Sequence, residues 1–320
     1  MNSSERRPSP SGHYSPLRYP GGKGKLARFV ADIIRLNSLE DGVYVEPYAG
    51  GAAVALELLL SGIVRRIAIN DLSRPVCEFW KAVLHRTEEF TSLICETSVN
   101  MTTRMRAKRV LMRNDASGLE LAFAAFFLNR TNRSGIMNGG AIGGNDQRGP
   151  WKLDARYNKE DLIHRINKIA TMRKRIIVTN YDALEFLANF DFKRPERTLV
   201  YLDPPYYKKG LDLYYDFYKH DDHVRVAKAA WSLGQVRWIV SYDDVAEVSR
   251  LYARAASLRY TVGYSARERS RGTEAMFFSP GLSMPPVRGS MAEVSRSEIG
   301  WSVAHANRNS GARAWPPTSK

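Results

Sequence analysis

The chain has 320 residues and a formal net charge of +15, from 48 Lys and Arg against 33 Asp and Glu. Hydrophobic residues make up 44% and charged residues 25%, an ordinary globular composition that excludes fibrous, collagen-like and fully disordered chains. Apolar runs such as Ala52–Leu60 are far shorter than the roughly 18 residues of a membrane span, and MNSSERRPSP lacks the apolar stretch of a secretory signal. Because Cys77 and Cys95 form neither a disulfide framework nor a zinc pattern, we expect a cytoplasmic protein without a metal site or a membrane partner.

Short apolar segments rich in β-branched and aromatic residues predict seven strands in the middle of the chain. They are Val43–Glu46, Val64–Asn70, Arg175–Asn180, Thr198–Asp203, Val236–Tyr242, Leu258–Val262 and Ala275–Ser279. Helical patterns follow most of them: Ala52–Leu60, Asp182–Phe190, Asp221–Leu233 and Asp244–Ala253. The alternation predicts an α/β fold with a Rossmann-like, doubly wound, mostly parallel sheet. The last two strands have no helix between them and are predicted to form an antiparallel hairpin at the sheet edge.

Five segments describe the predicted domain organisation. Residues 1–16 and 281–320 are rich in Ser, Pro, Gly and Arg without periodicity, so we expect both to be disordered tails. Residues 74–174 carry helical patterns, such as Val76–Leu84 and Leu119–Leu128, and no convincing strand. They predict a mainly helical domain inserted into an α/β domain that comprises residues 17–73 and 175–280.

The excess of positive charge is not spread evenly over these segments. Residues 74–175 carry +9 of the +15, residues 19–73 are neutral, and residues 176–280 carry only +1. A basic excess favours a polyanion such as nucleic acid, or an anionic membrane surface. The basic excess lies in the helical interval, which indicates that this interval binds the polyanion. The near-neutral α/β domain would then perform the chemistry on it.

A glycine turn follows the first predicted strand. The strand ends at Glu46, turns through Tyr48, Gly50 and Gly51, and opens a helix near Ala52. Glycine lets the backbone approach a ligand closely, and this setting at the carboxyl edge of a parallel sheet is typical of nucleotide-type cofactor sites. Asp71 follows Gly50 by 21 positions, which is where Rossmann-like domains bind ribose hydroxyls. An ordinary strand-to-helix turn and a helix cap remain the structural alternatives.

The tetrapeptide Asp203-Pro204-Pro205-Tyr206 ends a buried strand. The two prolines remove backbone donors and stiffen the turn, which presents a carboxylate, a fixed carbonyl and an aromatic ring together. This set suits a planar, amino-bearing heterocycle, because the oxygens accept its N–H groups and the ring stacks on its face. A Pro-rich turn with a local Asp cap is the alternative.

A further glycine-rich segment, Leu17-Arg18-Tyr19-Pro20-Gly21-Gly22-Lys23, precedes a helical pattern near Gly24–Asn37. Glycines and a lysine at a helix N-terminus form an anion site, which the carboxylate of an amino-acid-like ligand would fit. A surface lysine on a flexible loop is the alternative.

Taken in this order, PLRYPGGKGKL, YVEPYAGGAAVAL, Asn70-Asp71 and Asp203-Pro-Pro-Tyr resemble the DNA adenine methyltransferase (Dam-like) family over roughly residues 16–280. The segment RGTEAMFFS also resembles the last strand of that family. The resemblance implies transfer of a methyl group from S-adenosylmethionine to the exocyclic amino group of adenine in duplex DNA. The resemblance also implies that the helical interval is a target-recognition domain.

The resemblance assigns site residues position by position. The cofactor-binding set is Tyr19, Gly22, Lys23, Glu46, Tyr48, Gly50, Gly51, Asp71, Asp182 and Asp203, and the catalytic set is Asp203, Pro204, Pro205 and Tyr206. The chain departs from the family at Tyr19-Pro20, where Trp-Ala is usual, at Tyr48, where Phe is usual, and at Ser73, where a second Asn is usual. These changes keep the aromatic and polar character of the positions.

The DNA-reading residues are predicted from side-chain chemistry. Arg suits guanine edges and Asn suits adenine, so the candidates in the Gly/Asn-rich loop are Arg130, Asn132, Arg133 and Asn138. Structural capping of that loop is an equal alternative. The target base would flip out of the duplex to reach the pocket.

Several alternatives stay open at the level of sequence. They are methylation of cytosine in DNA, of adenine in RNA or of a protein glutamine, and a catalytically silent DNA-binding module. We expect a monomer associated with the nucleoid of a bacterium or encoded by a phage. The target sequence and the presence of a cognate restriction endonuclease are not predicted.

Overall fold

The computed structural model of the chain describes residues 14–19, 23–208, 218–262 and 273–298. The described strands are β1 (Val43–Glu46), β2 (Arg66–Asn70), β3 (Ile176–Thr179), β4 (Thr198–Leu202), β5 (Arg237–Asp243), β6 (Ala256–Val262), β7 (Glu274–Phe278) and β8 (Met291–Ser297). They form one sheet in the order β3-β2-β1-β4-β5-β7-β6-β8. The seven predicted strands are confirmed, and β8 is additional.

The helices are α1 (Ala27–Leu36), α2 (Ala53–Leu60), α3 (Arg74–His85), α4 (Thr87–Glu96), α5 (Met101–Met112), α6 (Gly118–Thr131), α7 (Lys159–Ala170), α8 (Ala183–Asn189), α9 (His220–Ser232) and α10 (Ala246–Leu251). A 3₁₀ turn, Lys23–Leu26, leads into α1. Side-chain caps fix several starts: Asn100 accepts from Thr103 N at 2.9 Å before α5, and Asn158 accepts from Asp161 N at 3.1 Å before α7. No described helix is both long and apolar enough to cross a bilayer.

The parallel part of the sheet fixes the position of the site. Strand β1 pairs in parallel with both β2 and β4, while β3 and β5 extend the sheet on either side. The winding direction therefore reverses between β1 and β4, which is where open α/β sheets bind ligands at the carboxyl ends of their strands. The carboxyl ends there are Glu46 of β1 and Leu202 of β4, directly before Asp203.

The antiparallel strands correct two sequence predictions. Strand β7 lies between β5 and β6 and is antiparallel to both, as the predicted hairpin requires. The hairpin is not at the edge, however, because β8 pairs with β6, Met291 opposite Val262. The predicted tail 281–320 is therefore wrong as far as residue 298. The sequence of β8 concealed it, since only Met291 of this strand is buried and backbone pairing with β6 holds the rest.

The prediction that residues 1–16 form a disordered tail is wrong for residues 14–16, which also contact the rest of the protein. Pro16 is buried, and Ser15 Oγ donates to the carbonyls of Leu17, at 3.2 Å, and Gly51. Residues 14–16 are thereby packed against the glycine turn.

The helices of residues 74–174 pack onto the sheet. Both helical segments predicted there are confirmed, within α3 and α6. Phe79 and Trp80 of α3 and Phe126 of α6 belong to the same hydrophobic cluster as Ile67 and Ile69 of β2. Because this interval shares its core with the sheet, its separation as an inserted domain remains a prediction from sequence.

Candidate active site

One cavity of about 1150 Å³ lies at the carboxyl edge of the sheet, above β1 and β4. It brings together nine of the ten predicted cofactor-binding residues: Tyr19, Lys23, Glu46, Tyr48, Gly50, Gly51, Asp71, Asp182 and Asp203. Gly22 lies outside the described residues. Five chain segments thus converge on one site, and four of them follow parallel strands that end at the same edge of the sheet.

The glycine turn after β1 is held open by the aromatic ring of Tyr19. Gly50 has a positive φ of +47°, and a Cβ added there would lie 2.7 Å from the Tyr19 ring. The indole of Trp80 donates to the Gly50 carbonyl at 3.0 Å. Glycine is therefore required at position 50 both by backbone conformation and by the close approach of a side chain.

Asp71 supports the same turn from β2. Its carboxylate accepts from Gly50 N at 2.7 Å and from Ser73 N at 2.8 Å, one bond to each oxygen. Burial raises the pKa of Asp71, and the two backbone bonds oppose that shift. A carboxylate accepts about four hydrogen bonds, so a ribose hydroxyl can still bind. The residue has a structural role whether or not it also binds ribose.

Glu46 is a buried carboxyl at the end of β1. Its Oε1 accepts from Tyr44 OH at 3.0 Å and from Ala55 N at 3.2 Å. Burial raises the pKa of Glu46 to about 8, against the effect of these two bonds. The carboxyl is therefore mainly protonated at neutral pH in the free protein.

Asp203 directly follows β4, and Ser241 and Lys23 both contact one of its two carboxylate oxygens. Its Oδ1 accepts from Ser241 Oγ at 2.6 Å and lies 3.4 Å from Lys23 Nζ. Burial raises the pKa of Asp203, and the neighbouring lysine opposes that shift. In the part of the chain that the structure describes, both of these contacts involve Oδ1, so Oδ2 keeps acceptor capacity.

The backbone beyond the tetrapeptide is fixed from β5. Asp243 accepts from Tyr207 N at 2.8 Å and from Lys208 N at 2.9 Å, one bond to each of its carboxylate oxygens. This bidentate grip orients the Asp203-Pro-Pro-Tyr turn.

Lys23 lies at the centre of a buried polar network. Its Nζ donates to Tyr206 OH at 2.5 Å and to Glu274 Oε2 at 2.9 Å. Glu274 Oε1 accepts from Tyr206 OH at 2.9 Å, and Glu274 Oε2 accepts from Tyr260 OH at 2.8 Å. The lysine is therefore a buried, multiply paired group, which excludes the alternative of a surface lysine on a flexible loop.

A tyrosine pair and Asp182 form the far wall of the cavity. Tyr218 OH donates to Tyr48 OH at 3.3 Å, and the two rings meet edge-on with centroids 6.4 Å apart. Asp182 caps α8, accepting from Leu184 N at 2.9 Å, and it also lines the cavity. The two rings, inclined at 70° to each other, and the Asp182 carboxylate line this side of the cavity.

Sequence reasoning missed Ser241, Tyr218 and Tyr260, and it noted Glu274 only as part of a motif. A strand-end position next to β4 was the available signal for Ser241. No short-range pattern indicates Tyr218 or Tyr260.

The predicted DNA-reading residues divide into two groups. Arg133 and Asn138 are exposed, and Asn138 lines the cavity, as does Arg130. Asn132 is completely buried. Its Oδ1 accepts from Arg104 Nε at 2.9 Å, and its Nδ2 donates to the carbonyls of Ile136 and Met137. The prediction that Asn132 reads DNA is wrong, since its amide is used to close the loop.

Arg130 also has a packing role. Its Nε donates to the Arg156 carbonyl at 2.6 Å. Burial lowers the pKa of Arg130 to about 10, and the nearby positive charges of Arg18 and Arg165 add to that shift. The clustering of these guanidinium groups gives this wall of the cavity a strong positive potential.

The loop is also joined to the N-terminal segment. Asn129 Oδ1 accepts from Arg18 N and its Nδ2 donates to Arg18 O, both at 2.7 Å. Gly135 has a φ of +78°, and a Cβ added there would lie 2.3 Å from the Arg18 carbonyl oxygen. The loop and Arg18 therefore pack together on one side of the cavity.

The cavity fits the expected cofactor. Its volume exceeds the roughly 300–1,000 Å³ of most small-molecule sites. The turn at Gly50 and Gly51 provides the side-chain-free backbone that a cofactor approaches, with carboxyl groups of Glu46 and Asp182 on the lining.

Comparison with known proteins decides the identity of the chain. The family model for D12 class N6 adenine-specific DNA methyltransferases matches residues 19–264. The chain belongs to this family. A curated relative, the Type II methyltransferase M.MjaIII of Methanocaldococcus jannaschii, is 24% identical over 234 residues, which cover 66% of this chain and 77% of the relative. The methyltransferase therefore acts on adenine in DNA.

Solved structures similar to the methyltransferase include two bacterial proteins. TrmN from Thermus thermophilus is 14% identical, with 80% of this chain and 48% of that chain covered and a TM-score of 0.37. The rRNA methyltransferase AviRa from Streptomyces viridochromogenes is 12% identical, with 86% and 93% covered and a TM-score of 0.35. Both TM-scores lie below 0.5, so the assignment rests on the family model and the curated relative.

Proposed function

We propose that the methyltransferase binds S-adenosylmethionine in the cavity and methylates an adenine that is flipped out of duplex DNA. The observation that carries the proposal is the convergence of the glycine turn, Lys23 and Asp203 on one cavity at the switch point of the sheet. Bound there, S-adenosylmethionine supplies an electrophilic methyl group on a sulfonium centre.

The proposed cofactor contacts follow the lining of the cavity. Tyr19 and Lys23 border the methionine part, and Glu46, Tyr48, Gly50 and Gly51 surround it. Asp71 accepts from the ribose, and Asp182 accepts from the adenine amino group of the cofactor, next to the Tyr48–Tyr218 wall. Support comes from the free acceptor capacity of both carboxylates, each of which also holds backbone N–H groups.

The proposed chemistry lies at the Asp203-Pro204-Pro205-Tyr206 turn. The amino nitrogen of adenine is a poor nucleophile because its lone pair is delocalised into the ring. Asp203 Oδ2 and the Pro204 carbonyl accept its two N–H groups and localise the lone pair towards the methyl group. The turn positions the nitrogen, Tyr206 replaces lost base stacking, and Ser241 holds the other oxygen of Asp203.

DNA reaches this pocket only as an extruded nucleotide, because a stacked base cannot enter a cavity above the sheet edge. Flipping costs a few kcal/mol, which contacts between basic residues and phosphates offset. Replacement of the target adenine by 2-aminopurine tests this step. Fluorescence should rise on binding of the protein, and an unchanged signal in a tight complex would argue against extrusion.

The assay for the whole proposal is transfer of a labelled methyl group from S-adenosylmethionine to duplex DNA. We expect Asp203→Ala to reduce the rate by about 10²- to 10⁴-fold, while duplex affinity stays within about twofold of the wild type. Asp221→Ala removes an exposed carboxylate and should leave the rate unchanged. Intact DNA binding without transfer to any DNA by the wild type would instead identify a catalytically silent module.

The setting of the enzyme follows from its substrate. We place it in the cytoplasm, at the nucleoid, acting as a monomer on double-stranded DNA. The curated relative is named a Type II methyltransferase, which favours a restriction–modification role with a cognate endonuclease. Cleavage of unmethylated DNA by a neighbouring gene product, and protection by this enzyme, would support that partner.

A further inference from the structure

Glu274 is a buried carboxylate whose described hydrogen-bond partners all belong to the site or lie directly behind it. It begins β7 and is 8% exposed. It accepts from Lys23 Nζ, from Tyr206 OH and from Tyr260 OH at 2.8–2.9 Å. Three hydrogen bonds to one buried carboxylate, two of them from site residues, indicate a role beyond packing.

Glu274 and Asp203 share one ammonium group. Lys23 Nζ lies 2.9 Å from Glu274 Oε2 and 3.4 Å from Asp203 Oδ1. The side chain of Lys23 is 9% exposed and that of Glu274 is 11% exposed, so solvent screens these interactions weakly. The ammonium therefore lies closer to Glu274 than to Asp203.

Without Glu274, the ammonium group would have Asp203 as its nearest carboxylate. A buried ammonium keeps a counter-charge close, because an unpaired buried charge is costly. Full pairing would weaken Asp203 as an acceptor and turn it towards Lys23, in competition with the adenine amino group.

We propose that Glu274 is a positioning residue, which holds the Lys23 ammonium and the Tyr206 hydroxyl aside so that Asp203 Oδ2 stays available to the target amino group. The inference rests on the adenine methylation proposed above. It states that a residue on β7 keeps Asp203, which follows β4, available to the substrate. Glu274 acts through Lys23 and Tyr206 and does not itself touch the substrate.

The charged and titratable groups that face Asp203 come from every neighbouring element. Among the described residues they are Lys23 from the 3₁₀ turn, Tyr44 and Glu46 from β1, Tyr201 from β4 and Glu274 from β7. Glu274 raises the pKa of Asp203, and Lys23 lowers it. Removal of the Glu274 charge therefore lowers the pKa of Asp203 by both routes, since it also frees Lys23 to pair with Asp203.

The test compares Glu274→Gln, which keeps the shape of the side chain, with Glu298→Gln, an exposed change of the same charge. Carbon-13 NMR titration of the Asp203 carboxyl in the free protein should show a lower pKa in Glu274→Gln and an unchanged one in Glu298→Gln. In steady-state kinetics, we expect kcat to fall about 10- to 100-fold, with the acidic limb of its pH profile moved to lower pH. The affinities for S-adenosylmethionine and DNA should stay within about threefold of the wild type.

An unchanged Asp203 pKa in Glu274→Gln would overturn the proposal, and so would a kcat within twofold of the wild type. A loss confined to cofactor affinity would also overturn it, because Glu274 would then only support the binding wall. Glu274→Asp keeps the charge and folds under milder perturbation, and its kcat should lie between those of wild type and Glu274→Gln. The NMR titration needs neither DNA nor cofactor, so absence of methyl transfer by the wild type would refute the proposed function without deciding the role of Glu274.

Discussion

The carboxyl edge of the sheet and the loop of residues 129–140 both contain dense polar networks, yet the networks face in opposite directions. At the sheet edge, Asp203, Asp71 and Asp182 each keep acceptor capacity on the side of the cavity. In the loop, the side-chain amides of Asn129 and Asn132 donate hydrogen bonds to backbone carbonyls of the protein. Side chains of the kind that read DNA therefore hold the backbone of this loop together.

The same comparison applies to charge. Several of the basic groups in residues 74–175 are paired or buried within the protein. Arg113 pairs with Asp115 at 3.1 Å, and Arg165 pairs with Asp161 at 2.9 Å. Arg104 is 2% exposed and donates to Asn132 Oδ1 and to the Gly139 carbonyl. Basic groups that are paired or buried in this way are not available to phosphates. The number of phosphate-binding groups therefore cannot be read from the net charge.

The largest effect that would sharpen this comparison is expected from Asn132→Ala. The change removes one of the two acceptors of the buried Arg104 guanidinium and the Nδ2 donor to the carbonyls of Ile136 and Met137. We expect the free energy of unfolding to fall by about 2–3 kcal/mol, measured by urea denaturation. The methylated sequence should be the same as that of the wild type.

Asn138→Ala is the matched control, since Asn138 lies in the same loop and is exposed. Its free energy of unfolding should stay within about 0.5 kcal/mol of the wild type. An Asn132→Ala protein of normal stability with an altered target sequence would break the comparison.

A second effect, on the site side, concerns Glu46 and pH. Its pKa is raised to about 8 in the folded protein, so the folded state binds the proton that the unfolded state releases near pH 4.5. Stability from this group is therefore fully present below about pH 4.5 and is lost as pH rises to 8. Glu46→Gln should stabilise the free protein by more than about 1 kcal/mol at pH 9, with little gain at pH 4.5. Thermal melts at both pH values measure this, and an equal effect at the two would contradict it.

The smallest effect is expected from Arg133→Gln, which removes an exposed charge from the loop. If Arg133 contacts one phosphate, the slope of log K against log salt should fall by about 0.9 with unchanged stability. Arg250→Gln, an exposed charge of the near-neutral α/β part, should not change the slope. Equal slopes in both variants would show that Arg133 makes no phosphate contact.

The sequence was sufficient for the parts of the molecule that depend on local pattern. Strands β1 to β7 begin and end within two residues of their predicted bounds, because buried strands are continuous apolar runs. Residues at strand ends could be placed in one site, because parallel strands bring their carboxyl ends to one edge. That reasoning found Glu46, Asp71 and Asp203.

The remaining features depend on contacts between distant segments. Strand β8 has a polar sequence and is a strand only because β6 offers an open edge. Whether Asn132 reads DNA or closes a loop is decided by Arg104, 28 positions earlier. Glu274 reaches Lys23 across 251 positions. No periodicity or spacing in the sequence predicts these contacts.

Methylation-aware sequencing of DNA from cells that express the protein tests the central claim most directly, because it reports the modified base and its sequence context together. We predict N6-methyladenine at a recurring sequence in cells with the wild type and none at that sequence in cells with Asp203→Ala. Modified cytosine, or an adenine signal that persists in Asp203→Ala, would contradict the assignment of adenine methylation to this site.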